Sequence, residues 1–165
     1  MDSQTNILNH QQVCAILRRI AFQIAESHVE SNTLVLVGMN ERGQFLSSLV
    51  AKELSSFLPS LKLTIHGVDA ESDIHLSESQ IQEAAGQPVI VMDDVINSGR
   101  SVARVVSAYF QAGAKSIQTA FLAEREYRDY PIAANWVGRS VATTLQDHVY
   151  FDNSNPESLR VYLAN

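Results

Sequence analysis

Two acids stand side by side at Asp93 and Asp94, directly after the apolar run Val89-Ile-Val-Met92 and just ahead of Asn97-Ser-Gly-Arg-Ser101. An apolar run of that kind suits a buried strand, which carries the acids to the rim of a sheet. The stretch beyond it turns into a helix whose first backbone N–H groups lack internal partners, and such a turn binds anions. Gly99 lets the backbone approach a phosphate closely, the hydroxyls of Ser98 and Ser101 add donors, and the helix dipole favours negative charge. Paired carboxylates repel a phosphate directly. They do accept hydrogen bonds from vicinal sugar hydroxyls, and they suit a magnesium ion carried by the ligand. A phosphate at one end with a diol a few ångströms away describes a ribose 5-phosphate.

The elements that must hold this constellation follow from hydrophobic spacing. Val13, Ile16, Leu17, Ile20, Ala21 and Ile24 recur on one helical face, which predicts a helix from Asn9 to about Ser27. Thr33–Val37 is a β-branched run with no polar alternation, a strand buried on both faces, and Gly38-Met-Asn-Glu-Arg-Gly43 ends it. Leu46, Leu49, Val50, Leu54 and Phe57 stripe a second helix that must stop by Pro59. Leu61–Ile65, Pro88–Asp93 and Ser116–Leu122 read as further strands, with a helix over Ser101–Ala112 between the last two. His66–Gln87 reads as an acidic loop with one short helical turn, in which His66, Asp69, Asp73 and His75 are solvated rather than metal-binding. Residues 1–6 are expected to be disordered, and short strands near 135–137, 148–151 and 160–163 to form a small C-terminal appendage or sheet edge. This order specifies an α/β chain with a doubly wound, mainly parallel sheet flanked by helices and right-handed crossovers. Ligands of such sheets bind beyond the carboxyl ends of the strands, where Asp93 and Asp94 lie.

Length and composition narrow the function classes. The 165 residues suit one domain, 1–165, and 45% apolar with 18% charged residues is an ordinary globular balance. Twelve Lys+Arg against eighteen Asp+Glu leave a net charge of −6, which argues against a broad nucleic-acid footprint. Cys14 is the single cysteine, so an internal disulfide is excluded. With no leader-like segment after Met1 and no apolar run approaching roughly 18 residues, a cytoplasmic protein without a membrane partner is expected. Gly38–Gly43 has the outer glycine spacing of a P-loop but lacks the Lys-Ser/Thr that follows it, so triphosphatase chemistry is not indicated.

The run Val89–Ser101 resembles the phosphoribosyl pyrophosphate signature of type I phosphoribosyltransferases: four apolar residues, two acids, then a hydroxyl-and-glycine loop. From about Leu8 to Leu163 the chain is similar to the PyrR-like family of pyrimidine-operon attenuators and uracil phosphoribosyltransferases. Leu17-Arg-Arg-Ile-Ala21, Leu34-Val-Leu-Val-Gly-Met-Asn-Glu-Arg-Gly43, Arg125-Glu-Tyr-Arg-Asp-Tyr-Pro131 and Trp136-Val-Gly138 carry that similarity. The resemblance implies transfer of a phosphoribosyl group from phosphoribosyl pyrophosphate to a small nitrogenous base, a pyrimidine such as uracil, with magnesium as cofactor. It assigns Asp93 and Asp94 to the ribose hydroxyls and, through the ligand, to magnesium. Asn97, Ser98, Gly99, Arg100 and Ser101 fall to the 5-phosphate, and Asn40, Glu41, Arg42 and Gly43 to pyrophosphate. Asp93, Asp94 and Arg42 are the catalytic candidates, because the guanidinium meets charge that develops on the leaving group. Trp136 is assigned to stack on the base and the backbone of Val137 to read its edge.

The resemblance also implies a homo-oligomer, and it opens a second reading as an RNA-binding regulator or a nucleotide sensor without turnover. Only Arg18, Arg19 and Arg139 stand out as a basic surface, so the RNA reading ranks below the enzyme. Purine-specific relatives place an aspartate where Asn97 stands, and an amide cannot act as a general base, which disfavours purine salvage. His66–Gln87 is short and carries no Lys or Arg, so pyrophosphate is less fully enclosed than in related enzymes. Glu41 adds a carboxylate beside pyrophosphate, which requires a cation there.

Overall fold

Strands with no polar alternation must bury both faces, and the central strands here do so. In the computed structural model, which describes residues 4–144 and 147–164, β2 (Thr33–Met39) and β4 (Pro88–Ile96) lie in the middle of a five-stranded parallel sheet. Leu34, Leu36, Ile90 and Met92 enter one apolar layer, and Val35, Val37, Val89 and Val91 enter the other. The first layer is completed by α1 (His10–Ser27) and α2 (Asn40–Phe57); the second by α3 (Glu78–Ala84) and α4 (Arg100–Gln111). Together with β3 (Lys62–Val68), β5 (Ser116–Arg125) and β6 (Trp136–Val141), the sheet runs in the order β3-β2-β4-β5-β6. The strand order therefore reverses between β2 and β4, and a crevice opens at their carboxyl ends. Pairing of the two stops at Gly38 and Met92, after which β2 turns into α2 while β4 runs on to Ile96 paired only with β5.

The C-terminal strands divide between two sheets. β6 closes the edge of the parallel sheet, whereas β7 (His148–Asp152) and β8 (Arg160–Ala164) join β1 (Thr5–Leu8) in a separate antiparallel sheet, β1-β8-β7. This corrects the expectation of disorder over residues 1–6 for Thr5 and Asn6. Thr5 pairs with Leu163 and Asn6 with Tyr162, so the strand is made by a partner more than 150 residues away and its own polar sequence carries no sign of it. Residues 1–3 lie outside the described residues. Asn9 closes α1 with a reciprocal capping box to Gln12.

The segment expected to be a loop is more ordered than its composition suggests. β3 extends to Val68, and Ser77 and Gln80 form a capping box that starts α3. His66, expected in solvent, is only 3% exposed. Its position on β3 points it at α4, where Nδ1 lies 2.9 Å from the Tyr109 hydroxyl, while Nε2 lies 2.8 Å from Glu83 on α3. The carboxylate only accepts, so Nε2 donates to it, and in the neutral ring Nδ1 is then the acceptor for the buried tyrosine hydroxyl. That bond holds the Glu83 carboxyl below its usual range, and burial raises the Tyr109 phenol. Tyr109→Phe leaves Nδ1 without its donor in an apolar layer, and a loss of about 1–3 kcal/mol is expected in denaturant unfolding. A variant as stable as the wild type would show that the chain of bonds does not hold α3 and α4 to the sheet.

Candidate active site

The acids that drew attention in the sequence sit where β4 has left β2. Asp94 donates its backbone N–H to Asp93 Oδ1 at 2.9 Å, and Val95 donates to Asp94 Oδ1 at 2.8 Å, so each carboxylate is oriented by the amide that follows it. Asp93 is enclosed on most sides and opens only in part onto the crevice. Burial first, and the neighbouring Asp94 charge second, push its pKa well above the ordinary carboxylate range. Arg42 opposes this weakly, its Nη1 lying 3.6 Å from Asp94 Oδ2.

Arg42 reaches that place because α2 starts at once after β2. Asn40, at the junction, adopts φ 54°, a left-handed conformation that asparagine tolerates better than most side chains. Gly43 lies one helical step further in, where a methyl group would stand 2.6 Å from the Met92 carbonyl and 3.3 Å from Asp93 Oδ1. Only glycine lets the first turn of α2 pack on the end of β4 this closely. The expected strand-ending turn over 38–43 is thus a direct strand-to-helix junction.

The other helix that starts at this rim is α4. Gly99 precedes it at φ 84°, in the left-handed region, with ordinary van der Waals spacing to Ile132 and Tyr130. The loop is held from outside: the amides of Asp129 and Tyr130 donate to the Ser98 carbonyl at 3.0 and 3.1 Å, and Arg128 donates to the Asn97 carbonyl at 2.8 Å. Arg128 also pairs with Glu124 at 2.9 Å. Glu124, Arg128 and Asp129 therefore buttress the loop.

The resulting crevice has a volume of about 760 Å³, and it brings together Asn40, Glu41, Arg42, Asp93, Asp94 and Asn97. Ser98 opens with Asn97, Arg125 and Tyr127 on an adjoining pocket of about 190 Å³. Arg100 faces a different groove beside Arg104, and Ser101 is exposed in the first turn of α4. Trp136 is 9% exposed, belongs to the apolar layer of α1 and α2, and is not among the crevice residues. The carbonyls of Val137 and Gly138 both accept from Arg19 at 3.1 Å. The structure adds crevice residues that sequence reading missed: Gln44, Asp69 and Glu71, Val95, and His148, Val149 and Tyr150 from the antiparallel sheet. Gln44, Asp69 and Glu71 follow the ends of β2 and β3 and could have been found by the strand-end rule; the last three depend on long-range pairing. Among the described residues no cluster of three or more His, Cys, Asp or Glu side chains is arranged to hold a metal, and no helix is long and apolar enough to cross a membrane.

The site thus combines, at the switch point of a parallel α/β sheet, an acid pair, an opposed arginine and a glycine-led helix start. The family model described as a phosphoribosyl transferase domain matches residues 3–151, and the chain belongs to that family. The Bifunctional protein PyrR of Actinobacillus pleuropneumoniae serotype 5b is 32% identical, over 90% of this chain and 92% of that protein. A protein of the same name from Bacillus velezensis is 28% identical over 90% of each. The similarity to the PyrR-like group read from the sequence is thereby borne out. Hypoxanthine phosphoribosyltransferase of Trypanosoma cruzi superposes with a TM-score of 0.76 at 14% identity, covering 98% of this chain and 97% of that one. A hypoxanthine-guanine phosphoribosyltransferase of Bacillus anthracis gives 0.64 at 18% identity, covering 86% and 85%. These two likenesses establish the fold as that of a type I phosphoribosyltransferase.

The raised pKa of Asp93 carries a stability consequence. The folded protein keeps a proton there that the unfolded chain releases near pH 4, so the cost of the carboxylate is absent below that pH and appears as pH rises through the folded pKa. Asp93→Asn keeps the acceptor for the Asp94 amide and removes the charge. Thermal melts between pH 4 and 8 are expected to show the variant more stable at neutral pH, with the advantage fading toward pH 4. A variant less stable at neutral pH would contradict this.

Proposed function

We propose that the protein transfers the 5-phosphoribosyl group of phosphoribosyl pyrophosphate to a nitrogenous base, a pyrimidine such as uracil, releasing pyrophosphate. The observation that carries this is the placement of Asp93 and Asp94, on one strand-turn-helix with the Gly99-led start of α4, opposite Arg42 at 3.6 Å from Asp94. In this reading the carboxylates accept the ribose hydroxyls, and the amides and hydroxyls of 97–101 hold the 5-phosphate. The C1–O bond to pyrophosphate breaks as the bond from C1 to the base nitrogen forms, and the proton of that nitrogen passes to the released pyrophosphate or to water. Arg42 meets the charge that moves onto the departing pyrophosphate, and Asn40, Glu41 and Gly43 shape the turn that receives it. No nucleophilic side chain is required, since positioning and electrostatics carry the step. Asn97 lines the crevice with an amide in place of a base, in keeping with a pyrimidine acceptor.

Magnesium fits the donor set. Asp93 and Asp94 offer the hard oxygen ligands it prefers, and with only this pair at the ribose position the remaining ligands come from the substrate. When bound, the ion neutralises pyrophosphate charge that Arg42 alone does not balance against Glu41, Asp69 and Glu71.

The RNA reading has less support. The Arg19 guanidinium is spent on Gln23 and two backbone carbonyls, which leaves Arg18, 71% exposed with only a loose 3.9 Å contact to Glu53, and Arg139 of the three basic residues. A cytoplasmic homo-oligomer remains part of the proposal.

Calorimetric titration with phosphoribosyl pyrophosphate and magnesium, followed by uracil and an assay for pyrophosphate, tests the reading. Binding with release is expected, and Asp94→Asn should weaken binding. Trp136 is the only tryptophan in the chain and is shut away from the crevice, so a base that stacks on it must open that layer and change its fluorescence. Release with unchanged fluorescence would remove Trp136 from the base site. Binding without release across a panel of bases would overturn the enzyme in favour of a sensor.

A further inference from the structure

The two proposed anion sites begin separate helices, α2 and α4, and the strands that lead into them are paired with each other only as far as Gly38 and Met92, so beyond that point the sheet does not tie the rim together. A side-chain relay across the rim does. The Ala70 amide, in a residue 1% exposed just beyond β3, donates to Asn40 Oδ1 at 2.8 Å. The carbonyl of the same Ala70 accepts from Arg104 Nη1 at 3.4 Å, and Arg104 Nη2 donates to the Ser72 carbonyl at 2.7 Å. Arg104 stands one turn into α4, whose start is the phosphate loop, and Asn40 is the first residue of α2, whose first turn carries Arg42. Arg104, Ala70 and Asn40 thus form a continuous bridge from one helix start to the other. The segment it grips contributes Asp69 and Glu71 to the crevice wall. The Asp73 contact of Arg104, at 3.4 Å to a side chain 90% exposed, adds little.

We propose that Arg104 and Asn40 are positioning residues: they clamp the segment after β3 as a fixed wall and set the spacing between the 5-phosphate and pyrophosphate sites. The clamp explains how a short segment without Lys or Arg serves the site. It does not close over the ligand; it holds the two ends of the crevice at a preset distance, so a ligand with phosphates at both ends binds without reorganising the rim. A side chain that only stabilised the fold would affect all ligands alike. A spacer affects chiefly the ligand that spans it. This inference rests on the phosphoribosyl reading for its ligand, but the clamp itself is a property of the rim.

Two variants isolate it. Arg104→Gln removes the fork from α4, and Asn40→Gly keeps the left-handed backbone while removing the carboxamide. Affinities with magnesium present are measured for phosphoribosyl pyrophosphate, for ribose 5-phosphate and for pyrophosphate, alongside hydrogen exchange of the Ala70 amide. Arg104→Gln is expected to weaken phosphoribosyl pyrophosphate roughly tenfold, a loss of about 1.4 kcal/mol, while the two fragments change little; Asn40→Gly, which lies in the pyrophosphate turn itself, is read through the Ala70 amide. The Ala70 amide is expected to be protected in the wild type and to exchange at least roughly tenfold faster in both variants. Equal losses for all three ligands, or unchanged Ala70 exchange, would overturn the clamp. If the wild type binds no phosphoribosyl pyrophosphate, the phosphoribosyl reading falls, and the exchange comparison decides the clamp by itself.

Discussion

A carboxylate enclosed at a strand end, with a second carboxylate as its chain neighbour, is the condition to which the rest of the site is fitted. Burial and like charge both drive Asp93 toward its neutral form, and the protein answers with little: one backbone amide to each acid and a single guanidinium 3.6 Å from Asp94. A core would not keep such a pair, since unpaired buried charge costs several kcal/mol. In the proposed reading, two hydroxyl donors or a hard cation would supply what is missing.

The geometry around the pair follows from the sheet. Because β2 and β4 part after Gly38 and Met92, the rim of β4 has one open side, and both neighbouring helix starts converge on it. Gly43 lets α2 settle against β4, and Gly99 lets the chain reverse into α4. The segment after β3 is gripped from both helices. The crevice therefore has defined walls on both sides of the β4 rim.

What was legible in the sequence was local. The α1 stripe, the valine-rich strands and the run from Val89 to Ser101 are each fixed by spacing within a dozen residues, and the acid pair could be placed at a strand end because strand, turn and helix are contiguous. Features made by distant partners were not legible. Thr5 and Asn6 look like a polar tail until β8 pairs with them, and His148 and Tyr150 reach the crevice only because that second sheet packs beside it. His66 reads as a polar loop residue, and its burial depends on Tyr109 and Glu83 from two other elements. Ser77 and Gln80 did carry a readable capping signal for α3, masked by the acidity of the segment. The burial of Trp136 among α1 and α2 residues is likewise a tertiary fact, and motif similarity gave no warning of it.

The most direct measurement is the titration of Asp93 by carbon-13 NMR of its carboxyl group, with and without ribose 5-phosphate and magnesium. In the free protein the resonance is expected to titrate well above the ordinary carboxylate range, and to move back toward or below it once hydroxyls and cation engage the pair. An ordinary titration in the free protein, or one that the sugar phosphate leaves unmoved, would show that Asp93 and Asp94 are not the centre on which this site is built.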